Sequence, residues 1–118
     1  MNEPPWDEID PEMWPLLRAL NRIPGIATTG CCIGHDAPIR GVHWPRPDMA
    51  YVTLTVEGLE ALDALRRRLP HGLQLHVEQW GFKPLSFNMV WRGPTLAKRV
   101  DYMREIVRSL GADDQAAG

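Results

Sequence analysis

Cysteine is almost missing from this chain of 118 residues: there are two, and they are adjacent, at Cys31 and Cys32. Neighbouring cysteines do not bridge each other without strain, because a disulfide wants its Cα atoms about 5.5 Å apart. A disulfide scaffold is therefore excluded, and reduced thiols in a cytosolic protein are the expectation. Long apolar runs are lacking too: none approaches the ~20 residues of a membrane span. No surplus of positive charge exists either, with a net charge of −2 and a pI near 6.0. A surface built throughout to grip nucleic acid needs clustered cations, so that class is disfavoured while a local basic patch stays open. Lysine is scarce, since 11 of the 13 basic residues are arginine. Arginine suits planar, bidentate partners such as phosphate or carboxylate, although genome composition explains the bias equally well. Internal repeats and low-complexity blocks are also absent.

What is present is 44% hydrophobic, enough for one domain with one core. Met1 to Asp10 is acidic and Pro-rich, unlike a signal or transit peptide. The expected organisation is a flexible segment over 1–11, a single α/β domain over 12–111 and a disordered tail over 112–118. Asp10-Pro11 reads as a helix start, with Asp10 as cap and Pro11 at the first helical position. Met13, Leu16, Leu17, Leu20 and Ile23 then recur at helical spacing, and the helix should end near Arg22, before Pro24-Gly25. Ile26 to Gly30 is a short strand candidate, and Cys31 to Asp48 a long loop of the kind that is often functional. Met49 to Val56 alternates as a strand, with Ala50, Val52, Leu54 and Val56 on one face. Glu57 to Leu69 is an amphipathic helix stopped by Pro70-His71-Gly72. Leu73 to Gln79 and Leu85 to Arg92 alternate again and are separated by a short connection, which predicts a hairpin. Thr95 to Leu110 is the last helix, with Leu96, Val100, Met103, Val107 and Leu110 as its apolar stripe and Gly111 as its stop.

The order is α-β-β-α-β-β-α. The expected fold class is α+β: a two-layer α/β sandwich, with a four-stranded sheet and helices on one face. The other face would display Tyr51, Thr53, Thr55, His76, Glu78, Ser86, Asn88 and Arg92. An ordinary solvated sheet face is the competing account.

The densest chemistry is Cys31-Cys32-Ile33-Gly34-His35. Cys32 and His35 have a spacing compatible with one Zn²⁺, but the chain offers no second Cys-x-x-Cys or His-x-x-x-His element. A thiol nucleophile with His35 as base would need a thiolate and an orienting residue such as Asp36 or Glu78. A ligand-binding turn needs neither: Gly34 permits positive φ and close backbone approach, while His35 and Arg40 add charge for a phosphate or carboxylate. This third reading is favoured. Against it stands ordinary packing, with Cys31 a small core hydrophobe and His35 a surface residue. The loop adds His43, Trp44 and Arg46, a set suited to a stacked base with phosphates, or simply to a loop pinned on the core by Trp44. Trp80 and Trp91, at strand ends, more often close a core. Arg66, Arg67 and Arg68 end a helix, where cations complement its dipole.

Leu20 to His35 resembles a pattern of small, mostly uncharacterised bacterial and phage proteins: a short helix, Pro-Gly-Ile, then Thr-x-x-Cys-x-Gly-His/Arg. It is also similar to the Ser-Ser-Cys-Ser-Gly-Arg segment of the wybutosine-synthesis methyltransferase family, which acts on a modified guanosine in tRNA with S-adenosylmethionine. By that resemblance Cys32, Gly34 and His35 fall on motif positions. Gly30 and Cys31 replace the two serines, and His35 replaces the arginine.

Three function classes follow. The leading one is a cytoplasmic domain that binds a nucleotide-like or anionic small ligand. Cys32, Gly34, His35, Arg40 and His43 form its loop side, and Tyr51, His76, Asn88 and Arg92 its sheet side. The second is a group-transfer enzyme acting on RNA or a nucleotide, wybutosine-synthesis-like, with His35 or His76 as acid or base and Glu78 tuning His76. The third is a structural module that forms a homodimer through the polar sheet face. S-adenosylmethionine is the cofactor the resemblance implies, zinc is less favoured, and no membrane is expected as a partner.

Overall fold

The structure is a computed structural model, and it describes residues 10–34, 48–79 and 85–117. A 3-10 turn over Pro11–Met13 leads into α1 (Trp14–Asn21). There follow β1 (Ile26–Cys32), β2 (Met49–Val56), α2 (Leu59–Arg68), β3 (Gln74–Gln79), β4 (Leu85–Arg92) and α3 (Leu96–Ala117). The four strands form one antiparallel sheet in the order β1-β2-β4-β3. The expected two-layer α/β sandwich is the observed architecture.

Burial explains the layering. The alternate residues Ala50, Val52, Leu54 and Val56 of β2 are buried, as are Phe87, Met89 and Trp91 of β4. They meet Leu16, Leu17 and Leu20 of α1, Ala61 and Leu65 of α2, and Met103, Ile106 and Leu110 of α3 in one core. The two central strands thus carry the most apolar alternation. The edge strands carry less, and Val77 on β3 is 48% exposed.

Local departures from the sequence expectation have identifiable causes. Asp10 does not cap with its side chain; its carbonyl accepts the Met13 N–H at 2.9 Å. Strand β1 does not stop at Gly30 but continues through Cys32, with Cys31 opposite Val52 and Cys32 opposite Tyr51. A register shift between Thr28 and Gly30 breaks the alternation there, which hid the continuation. Helix α3 does not stop at Gly111 but runs to Ala117. Gly111 is not in the positive-φ conformation of a helix C-cap. The buried stripe of α3 is Arg99, Met103, Ile106 and Leu110, with Val100 and Val107 only half-buried beside it.

Two clamps tie elements together, one between the layers and one within the helix layer. The Asn21 side-chain oxygen accepts the Thr28 N–H and its amide donates to the Thr28 hydroxyl, both at 2.9 Å. That fixes the end of α1 to β1. Ser109 Oγ donates to the Arg68 carbonyl and ties α3 to the end of α2.

Candidate functional site

Paired residues of an antiparallel sheet share a face, so the register sorts the cysteines. Cys31, with Val52, lies on the core side; Cys32, with Tyr51, lies on the side that the helices leave open. Burial pushes the Cys31 thiol up to about 11, with Asp10 and Cys32 adding to the shift. Burial also raises Cys32, with Asp10 adding to the shift, while the Gly34 N–H, 3.4 Å from its sulfur, and the Arg99 charge pull the other way. Both groups are therefore thiols at neutral pH, and neither is poised as a nucleophile. Gly34 follows with φ of 89°, the positive value expected for a turn at this point.

The open face is organised in cross-strand rows. One row runs Cys32, Tyr51, Val90, Gln74; the next runs Gly30, Thr53, Asn88, His76. The Thr53 hydroxyl donates to Asn88 Oδ1 at 2.6 Å. His76 Nε2 and Gln74 Oε1 are hydrogen-bonded at 2.9 Å, so that nitrogen carries the proton. Arg92, opposite Met49, lies one row beyond Tyr51 and Val90, toward the end where β1 exits. The structure thus brings Cys32, Tyr51, His76, Asn88 and Arg92 to one face, with Gly34 at its end. After Val77 the register shifts, and Gln79 is the partner of Ser86. His35, Arg40 and His43, and with them Asp36, Trp44 and Arg46, lie outside the described residues.

A residue that sequence reasoning missed holds this end together. Arg99 is fully buried. Its Nε donates to the Ile33 carbonyl at 2.7 Å, Nη1 to Gly93 at 3.0 Å and Nη2 to Gly34 at 3.5 Å. The Trp91 indole donates to the Arg99 carbonyl at 3.0 Å. Taking a guanidinium out of water is costly, and charge-assisted bonds to carbonyls offset that cost. Arg99 thereby welds the exit of β1, the β4–α3 connection and α3 into one unit. Thr95 caps the same helix, its hydroxyl accepting the Lys98 N–H at 3.2 Å. The signal was available: Leu96, Arg99, Met103, Ile106 and Leu110 keep helical spacing, and a cation on such a stripe needs buried acceptors. Trp91 closes the core, as expected for a tryptophan at a strand end, and stacks on Tyr102 with ring centroids 6.5 Å apart.

A roomier concavity lies elsewhere among the described residues. A groove of about 1190 Å³ opens at the other end of the sheet, between the α1–β1 turn at Gly25 and the β2–α2 turn at Gly58. Its walls are mainly apolar, and Leu59 beside it is 79% exposed. None of the sequence-predicted site residues lines it, and the Asn21 amide at its rim is engaged with Thr28. The polar groups of the open-face rows lie outside this groove. Among the described residues no group of three or more His, Cys, Asp or Glu side chains is placed to hold a metal ion. None of their helices is long and apolar enough to cross a membrane.

No family model matches this chain, and no curated protein does. Among solved structures, its fold is similar to that of the PH1069 protein from Pyrococcus horikoshii. The TM-score is 0.53 at 15% identity, covering 96% of this chain and 87% of that one. Such a likeness describes the fold and leaves function to the site.

Proposed function

We propose that this is a cytoplasmic protein that binds a nucleotide-like or anionic small ligand on the open sheet face, at the end where β1 leaves through Gly34. One observation carries the reading: Cys32, Tyr51, Asn88, His76 and Arg92 share the face opposite the one on which the helices of the described residues pack. Tyr51 offers a ring for stacking, Asn88 and His76 offer hydrogen bonds, and Arg92 offers a planar cation for phosphate or carboxylate. Gly34 lets a ligand approach the main chain closely. His35, Arg40 and His43 follow Gly34 in the chain and extend the same site in this reading. S-adenosylmethionine is a candidate ligand through the resemblance to the wybutosine-synthesis family, and zinc is less favoured.

Thermal unfolding with AMP, GMP, adenosine and S-adenosylmethionine tests this. A ligand at a hundred times its Kd stabilises by about 2.7 kcal/mol, several degrees in a domain of this size. At least one probe should raise Tm, and Asn88→Ala should reduce the rise. No shift with any of them overturns the reading.

The His76–Gln74 bond favours a second reading, a group-transfer enzyme acting on RNA or a nucleotide. With Nε2 holding the proton, Nδ1 keeps the lone pair a general base needs. Methyl transfer from S-adenosylmethionine to tRNA, lost in His76→Ala, would establish it; no transfer above a no-protein control removes it.

A further inference from the structure

A second, smaller concavity of about 410 Å³ lies at the sheet end where β1 exits, on the side of β3. It wraps the end of the sheet: Gln74, Val90 and Arg92 line it from the open face, Trp91 of β4 and Tyr102 of α3 from the helix side, and Gly72 and Leu73 from the chain leading into β3. Its volume falls in the range of about 300–1,000 Å³ that small-ligand pockets occupy.

The polar groups around it are donors. Among the described residues no carboxylate pairs with Arg92, whose cross-strand neighbour is the uncharged Met49. The carbonyl oxygen of Gln74 is engaged by His76, which leaves the amide N–H groups to donate. The Tyr102 ring is held by its stack on Trp91, and no partner among the described residues takes its hydroxyl. Asp101, next to it in the chain, lies 3.7 Å from Arg104 instead. At Gly72, φ is +92° and the space a Cβ would enter is open, so a ligand can approach the main chain there.

We infer that this concavity is the anion subsite of the ligand face. It takes a phosphate or carboxylate, with the Arg92 guanidinium as bidentate partner and Tyr102 and Gln74 as further donors. The inference rests on the reading of the open face as a ligand site and sharpens it. Tyr51 and Gln74 stand in one row, two strands apart, a distance of about 10 Å. A ring stacked on Tyr51 therefore sends its acidic end to Arg92, which describes a nucleoside monophosphate better than a free base or a nucleoside.

Isothermal titration with AMP, adenosine and inorganic phosphate separates the two claims. Adenosine binding reports the open face, and the ratio of AMP to adenosine affinity reports the subsite. AMP should bind at least about 10-fold more tightly than adenosine, the effect of one charged contact. Arg92→Gln, at an exposed position where folding is readily checked by Tm, should bring AMP down to the adenosine level, with a loss for AMP at least several-fold greater than any loss for adenosine. Tyr102→Phe should weaken AMP a few-fold and spare adenosine. Inorganic phosphate should compete with AMP and lose its binding in Arg92→Gln. Equal affinity for AMP and adenosine, or an equal loss of both in Arg92→Gln, overturns the subsite and leaves the open-face reading standing. No binding of adenosine or AMP, together with none of phosphate, overturns both.

Discussion

At the end of the sheet where β1 enters, a groove of about 1190 Å³ is walled by apolar side chains and the turns at Gly25 and Gly58. At the end where β1 leaves, the concavity is only about 410 Å³, but Arg92, Gln74 and Tyr102 line it. Beneath that same exit, Arg99 is buried on three main-chain carbonyls. The first end is held by close packing and by the Asn21–Thr28 clamp, whose polar groups satisfy each other. The second end is held by a charge. Space and recognition chemistry have separated, and a ligand that must be oriented needs donors more than volume.

The two ends should therefore fail differently, and the largest effect belongs to Arg99. Arg99→Met removes a buried cation and strands the carbonyls of Ile33 and Gly93, with Gly34 beyond. Leaving buried polar groups unpaired costs about 1–3 kcal/mol each, and breaking a buried charged cluster about 3–5 kcal/mol. That is a large share of a typical stability of about 5–15 kcal/mol. Urea unfolding should show the loss, and Arg99→Lys should recover only part of it, because one ammonium cannot span three carbonyls. A methionine variant as stable as the parent would remove the charge from the account of this end.

The groove end should respond to shape instead. At Gly25, φ is +84° and an added Cβ would stand 2.8 Å from the Ala61 Cβ and 3.4 Å from the Glu57 carbonyl. Gly58 has φ of +94° with open space around it. Gly25→Ala carries both strain and collision, at a cost of about 2–3 kcal/mol, while Gly58→Ala carries strain alone, about 1 kcal/mol. Equal losses in the two variants would show that packing against α2 does not hold the Gly25 turn.

The same division marks what the sequence could reveal. The bounds of β2 and β4 were readable because each alternates with period two around a buried face. The open-face set of Tyr51, His76, Asn88 and Arg92 was readable for the same reason. Where a bulge intervenes, alternation misleads: the shift between Thr28 and Gly30 concealed two more residues of β1, and the shift after Val77 put Gln79 where Glu78 was expected. Cross-strand contacts such as Thr53 with Asn88 need the register, which no single strand carries. Arg99 was passed over because charge argues for solvent, and only the tertiary arrangement supplies the carbonyls that bury it. Gly111 was read as a stop because glycine favours helix ends, yet the helix carries it through.

The smallest effect concerns the two thiols, which the strand sends to opposite faces. Cys31 is held at about 11 in the folded chain against an ordinary value of 9.0. The folded form thus keeps its proton longer than the unfolded form. Its contribution to stability is complete below pH 9, declines as the unfolded thiol ionises, and is gone once the pH has risen through about 11. Other groups titrate in that window as well, so the informative quantity is the difference in pH slope between the parent and Cys31→Ala, taken from unfolding curves between pH 8 and 10.5. The parent should fall more steeply. Cys32 is raised by burial too, but the Gly34 N–H and Arg99 favour its thiolate. With iodoacetamide at pH 8, read by peptide mass spectrometry, Cys32 should therefore react before Cys31, and both more slowly than in the unfolded chain. Faster labelling of Cys31 would mean that the core side of β1 is the more open one, and the assignment of faces at the exit of β1 would have to be reversed.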